Sequence, residues 1–179
     1  VYKRQPGIID RLVDYSKSPD RAGSVIVGAT CDTSGKFSYG GILYGKGISY
    51  RMIGVDSPGV RCTTFNANCT LIPMEIMKRV KNVDSYYKHS MGDFDLGFRI
   101  SRGGNDIYVM PEYVGVCNDN PIEGSWQDRS LGIVKRIKLK ESFKGLPFKD
   151  WFHYLNRNFG FATACVRSIT PYIKIFVGK

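Results

Sequence analysis

Short apolar runs and helical periods take turns along this chain, and that alternation constrains its fold more than any other feature. Ser24-Val25-Ile26-Val27-Gly28 reads as a buried strand closing in a turn. Cys69-Thr70-Leu71-Ile72 reads as a second, short strand. Ile107 to Met110 and Tyr113 to Val116 read as two more, split by Pro111, which has no N–H to give a ladder. Helical periods fill the intervals. Ile8, Ile9, Leu12 and Val13 share one face of a helix opened near Pro6 and closed by Ser18-Pro19. Met74, Ile76, Met77 and Val80 follow Pro73, which is placed in the first turn. Asp93 to Arg102 carries Leu96 and Ile100 four apart and stops at Gly103-Gly104. Strands alternating with helices predict an α/β layer fold.

The remaining stretches are less periodic. Cys31 to Gly35 is turn chemistry, Phe37 to Tyr44 a Gly-interrupted strand or loop, and residues 45–61 show no period. Residues 117–128 form a polar loop. From Leu131 the pattern is helical again: Ile133, Val134, Ile137 and Leu139 make an apolar stripe among Lys135, Arg136, Lys138 and Lys140. Trp151, Phe152 and Leu155 make a second stripe after Pro147. With 42% hydrophobic residues over 179 positions, the chain has core enough for one domain, and it is neither a disordered tail nor a disulfide mini-protein. No run of eighteen apolar residues exists to cross a bilayer as a helix.

Charge is uneven. Residues 1–128 hold 15 Lys and Arg against 14 Asp and Glu, whereas residues 129–179 hold 11 against 2. A basic tail of net +9 suits an anionic partner, such as phospholipid headgroups, nucleic acid or a phosphorylated substrate; a solvated face is the plainer reading. Val1-Tyr2-Lys3-Arg4-Gln5, with two cations and no initiator Met, resembles the translated end of a sequencing adapter and is set aside from fold reasoning. The natural chain is then expected to start at or before Pro6.

The densest polar cluster is His89-Ser90-Met91-Gly92-Asp93-Phe94-Asp95, leading into a helix. Asp93 has two readings: a general base whose ionised form the helix dipole favours, or a helix N-cap. Asp93 and Asp95 look like an Asp-x-Asp metal pair, but in a helix they point about 200° apart, which works against a shared cation. Asp95 and Arg99 have the spacing of an intrahelical ion pair. His89 and His153 lack partners at metal spacing. The five cysteines contain no Cys-x-x-Cys, so zinc is not expected and reduced thiols are.

Taken in order, several segments resemble family 2 glycosyltransferases. Phe65-Asn66-Ala67-Asn68-Cys69-Thr70-Leu71-Ile72-Pro73 is similar to the segment following that family's nucleotide-sugar half. Val83-Asp84 and Tyr86 are similar to its Gly-Phe-Asp-Glu-x-Phe region. Gly92-Asp93-Phe94-Asp95-Leu96-Gly97-Phe98-Arg99 is similar to its acidic base motif, and Gly104, Ile107 and Pro111 to Gly115 to its next strand. The resemblance implies residues 6–130 as the C-terminal half of a GT-A domain, a mixed sheet flanked by helices, with residues 131–179 a basic amphipathic helical tail. It implies inverting transfer of a single sugar from a nucleotide-diphosphate donor to a hydroxyl of a saccharide or lipid-linked acceptor, in cell-surface glycan or glycolipid synthesis.

By the same resemblance Asp93 is the base. Asn66, Ala67, Asn68, Gly92 and Trp126 lie near the substrates, and Asp95 and Arg99 brace the helix. A divalent metal, Mg or Mn, is implied, with its acidic pair upstream of this chain. The expected location is cytoplasmic, at the inner face of the cell membrane. The basic amphipathic tail, with Trp and Phe on its apolar side, suits an anionic membrane surface or packs its stripe on the catalytic domain. No aromatic–basic alternation on the body points to nucleic acid. Three departures stand out. Gly92 replaces an acidic residue before the base. Val116-Cys117-Asn118-Asp119-Asn120 has no His where many relatives carry one. The Arg-Trp ending of processive synthases is absent at Gly124-Ser125-Trp126-Gln127-Asp128. The alternative to an enzyme is a binding module for anionic polymers or a membrane surface, driven by the tail, with steep salt dependence.

Overall fold

The computed structural model describes residues 3–177, with the backbone alone for Lys3 and Arg4. The chain divides into two compact units, residues 1–83 with 93–119 and residues 84–92 with 120–179.

The first unit is α/β. Its elements are β1 (Lys3–Arg4), α1 (Ile8–Ser16), β2 (Val25–Cys31), β3 (Phe37–Tyr39), β4 (Gly41–Tyr44), β5 (Tyr50–Ile53), β6 (Thr64–Phe65), β7 (Thr70–Leu71), α2 (Met74–Val80), α3 (Gly92–Arg102) and β8 (Ile107–Val116). A mixed five-stranded sheet runs β1-β8-β2-β3, with β7 also pairing β2. The β2–β8 pairing is parallel and the others are antiparallel. A second antiparallel sheet runs β5-β4-β6.

Strand β2 is central and covered on both faces, which is why Val25 to Val27 form an unbroken apolar run rather than an alternating one. Val25, Val27 and Ala29 join a core with Phe65, Leu96 and Ile100. Ile26 points the other way, to Ile8 and Leu12 of α1 with Tyr108, Met110 and Val114. Helix α1 therefore buries an i,i+4 pair, and Ile9, expected on the same face, is 51% exposed. Ile9 is turned about 100° round the helix from Ile8, whereas Leu12 is turned only about 40°, so Ile9 falls off the stripe that packs.

Several expectations need correction. Ile107 to Val116 is one strand, not two. Pro111 sits where the β2–β8 register shifts, between the pairs Val27–Val109 and Ala29–Tyr113. A bulge lifts the proline out of the ladder without ending the strand. The Phe37–Tyr44 stretch is two strands, which turn at Gly40 into different sheets. Residues 45–61, which show no period, contain β5, held by four residue pairs to β4. Pro73 caps α2 from just outside rather than filling its first turn. Of the residues set aside at the start, Val1 and Tyr2 lie outside those described, Lys3–Arg4 pair with β8, and Gln5 N–H donates to the Val114 carbonyl at 3.0 Å.

The second unit is helical, with α4 (Ile133–Lys140), α5 (Phe148–Phe159), α6 (Phe161–Arg167) and α7 (Thr170–Val177). The stripe expected on α4 is reversed. Arg136 and Lys140, one turn apart, are buried, while Ile133 and Val134 are 44% and 69% exposed. The cations are buried because each finds partners there. Arg136 donates to the carbonyls of Trp126 at 3.0 Å and Ile175 at 3.1 Å. Lys140 Nζ lies 2.6 Å from Glu141 Oε1 and 4.0 Å from the centre of the Tyr172 ring. On α5, Leu155 is buried as expected, but Tyr154 and Asn158 bury with it and Trp151 and Phe152 are only partly covered. Among the described residues no helix is long and apolar enough to cross a membrane.

Candidate functional site

In the first unit, α3 is set against β6 at one point of very close approach. A Cβ added to Gly97 would lie 2.2 Å from Thr64 Oγ1 and 2.7 Å from Thr64 Cα. The buried Thr64 hydroxyl donates to the Phe94 carbonyl at 2.7 Å, so the helix is pinned to the strand by contact and by hydrogen bond. A glycine inside a helix costs about 1 kcal/mol relative to alanine, and here the close contact accounts for it.

That contact fixes Asp93, one turn before Gly97. Asp93 Oδ2 accepts the backbone N–H of Ala67 at 3.1 Å, and Oδ1 accepts that of Phe94 at 2.9 Å. The loop carrying Ala67 is itself held, because Asn66 N–H donates to the Gly40 carbonyl at 3.0 Å. Burial pushes the Asp93 carboxyl above the ordinary carboxylate range, against the opposing pull of the Ala67 and Phe94 N–H groups. Asp93 lies inside the first turn of α3, which starts at Gly92, and so is not its N-cap; one of its oxygens instead binds a loop 26 residues away.

Asn66 Oδ1 and Asn68 Nδ2, on either side of Ala67, are buried with no hydrogen-bond partner among the described residues. Thr70 Oγ1, two residues on, shares that state. Buried polar atoms are nearly always paired, so a cluster of unpaired ones beside a carboxylate suits a polar ligand. They offer one acceptor, one donor and a hydroxyl.

Asp95 points away from this loop. It is fully buried and accepts Arg99 Nε at 2.9 Å. Arg99 also donates to the Val80 carbonyl and, at 3.0 Å, to that of Asn82, tying the end of α2 to α3. The pair braces the helix, as its spacing indicates.

Asn66, Ala67, Asn68, Asp93, Asp95 and Arg99 thus belong to one unit, and a hydrogen bond joins Asp93 to Ala67, between the two asparagines. Gly92 and Trp126 are grouped with the other unit. Gly92 is buried at the head of α3. Trp126 is half-buried and lines a cleft of about 890 Å³ with Asp128, Arg129, Ser130, Thr170 and Lys174. Asp84 is occupied by Arg157 at 2.5 Å. The Tyr86 N–H, together with Arg157, holds its carboxyl below the ordinary range against the effect of burial. His153 stacks on Tyr86 with ring centres 4.0 Å apart, and His89 leans on Phe143 at 4.9 Å, so both histidines pack as structural residues.

The residues present do not fit a divalent metal. Among those described, no group of three or more His, Cys, Asp or Glu could hold one, and Asp95 is already committed to Arg99. All five cysteines are free thiols. Thr64 is not singled out by the sequence, and Gly97 and Thr70 stand there only within motifs, with no role of their own. Gly97 alone carried a signal, as a lone glycine inside a helical period.

Comparison of the chain with protein-family models, curated proteins and solved structures finds no match.

Proposed function

We propose that the first unit is the acceptor side of an inverting glycosyltransferase, with Asp93 as general base. The observation that carries this reading is the Asp93 carboxylate held against the Asn66-Ala67-Asn68 loop. It is partly buried, raised above the ordinary carboxylate range by that burial, and bound to a loop in which Asn66 Oδ1 and Asn68 Nδ2 are buried without partners. A carboxylate whose pKa is raised toward working pH accepts a proton more readily, as general-base catalysis requires. The Ala67 N–H and the Gly97–Thr64 contact fix its position, so no orientation need be found during reaction.

In this reading Asp93 takes the proton of the acceptor hydroxyl. That oxygen bonds to the anomeric carbon from the face opposite the leaving group, the bond to the nucleoside diphosphate breaks, and the configuration inverts. In the same reading Asn66 and Asn68 bind hydroxyls of the donor sugar, which supply both donors and acceptors. Asp95 and Arg99 position the helix.

The test is transfer by the complete gene product. Asp93→Asn should reduce turnover by about 10² to 10⁴-fold, the range of general-base contributions, while donor affinity stays within a few-fold. Unchanged turnover removes Asp93 from the base role. The rate of the unsubstituted enzyme should fall on the acid side with a midpoint above the ordinary carboxylate range, and a midpoint near 4 would contradict the raised basicity.

A further inference from the structure

Helices α6 and α7 are inside out. Their buried stripe is Ala164, Ser168, Pro171 and Ile175, spaced four, three and four apart. The opposite stripe is Val166, Ile169, Ile173, Phe176 and Val177, each more than half exposed, and Phe161 at the start of α6 is exposed as well. A surface helix ordinarily shows the reverse, with its larger apolar residues packed. Helix α4 repeats the inversion with Ile133 and Val134 outside and Arg136 and Lys140 inside.

Residues 129–177 are strongly cationic, although the same unit also carries exposed Glu123, half-buried Asp84 and buried Asp128. Lys135, Lys138, Lys144, Lys149, Arg167 and Lys174 are exposed. Of the two carboxylates in residues 129–177, Asp150 is buried. Glu141 is taken up by Lys140 at 2.6 Å, the Tyr172 hydroxyl at 2.5 Å and the Phe148 N–H at 3.0 Å. The exterior contributed by residues 129–177 is therefore mainly apolar and cationic.

We infer that this face docks on a membrane surface carrying anionic headgroups, with α6 and α7 lying in the interface. Their outward Phe, Ile and Val side chains enter the headgroup–acyl boundary, and the lysines and arginine meet the phosphates. Charge complementarity selects this occupant. A second copy would bring the same cations face to face, and a nucleic acid backbone has nothing to match the apolar stripe. With 7 and 8 residues, α6 and α7 are too short to span a bilayer, so they lie along it. The inference does not depend on sugar transfer.

Flotation of the full chain with phosphatidylcholine vesicles, with and without phosphatidylglycerol, tests it. Binding is expected only with phosphatidylglycerol and should weaken as salt rises. Ile173→Ser with Phe176→Ser should lower the partition coefficient on the order of tenfold or more, with circular dichroism unchanged because both side chains are exposed. Lys135→Gln with Lys138→Gln should lower it about tenfold, and this pair keeps the test open if the serine variant misfolds. Flotation with neither vesicle overturns the inference, as does unchanged flotation of both variant pairs. A lipid-free dimer that the serine variant converts to monomer also overturns it, in favour of a second copy.

Discussion

Helix α3 buries Leu96, Phe98 and Ile100 and leaves Arg99 and Arg102 at its rim, whereas α4 buries Arg136 and Lys140 and exposes Ile133 and Val134. Both helices are amphipathic at the same period. They differ in what the packed side supplies. Against α3 lie mainly apolar side chains of two sheets, with the Thr64 hydroxyl as a polar contact, and the one charge that α3 buries, Asp95, is met by Arg99 of the same helix. Against α4 lie the carbonyls of Trp126 and Ile175 and the Tyr172 ring, which satisfy cations. The period shows which residues share a face, and the neighbour decides which face is inside.

Substitutions can break this contrast. The largest stability effect is expected from Arg136→Ala, which leaves two carbonyls unpaired and opens a void, at a cost of about 2–4 kcal/mol. Lys135→Ala, one residue away but exposed, should stay within about 0.5 kcal/mol. Equal effects in urea melts would erase the distinction between the two sides of α4. Next is Gly97→Ala, whose Cβ must push α3 off Thr64 at a cost of about 1–3 kcal/mol. Because the same shift parts Asp93 from Ala67, exchange of the Ala67 amide should quicken more than that of neighbouring loop amides.

Smallest is a pH effect of opposite sign in the two units. The Asp93 pKa is raised in the folded chain, so its contribution is fully present in acid and is lost as pH rises through that raised value. Burial raises the Glu141 pKa, but the hydrogen bonds from Lys140, Phe148 N–H and Tyr172 outweigh it and leave the carboxyl below the ordinary range. Its contribution is present above the unfolded value and lost as pH falls through the folded one. Hydrogen exchange across the carboxylate range should therefore show α3 gaining protection in acid relative to α4. Parallel loss in both would refute the assignment for Asp93.

Much of the first unit was legible because its elements follow simple periods. Ile8 with Leu12, Val25 to Val27, and Leu96 with Ile100 each mark an element that the structure contains. Strand β5 was not legible, since Tyr50, Arg51 and Met52 are all exposed and no alternation marks them. The continuity of β8 through Pro111 depends on a bulge against a partner about eighty residues away, which no local pattern encodes. At the candidate site, Asp93 and the Asn66-Ala67-Asn68 loop could be named from their motifs. What joins them, a single N–H to one carboxylate oxygen, could not, because its position depends on Thr64 meeting a missing side chain at Gly97.

That meeting point separates two things that many sites combine. The carboxylate is located by helix against strand, at the width of one hydroxyl group, while the asparagine side chains beside it belong to a loop that does not set this spacing. The side chains of residues 66 and 68 can therefore be exchanged to suit a different ligand without re-aiming Asp93, since its anchor in the loop is a backbone N–H that every residue but proline provides. If the proposed function holds, recognition and reactivity can be altered independently, and a library confined to those two asparagines is the natural place to begin.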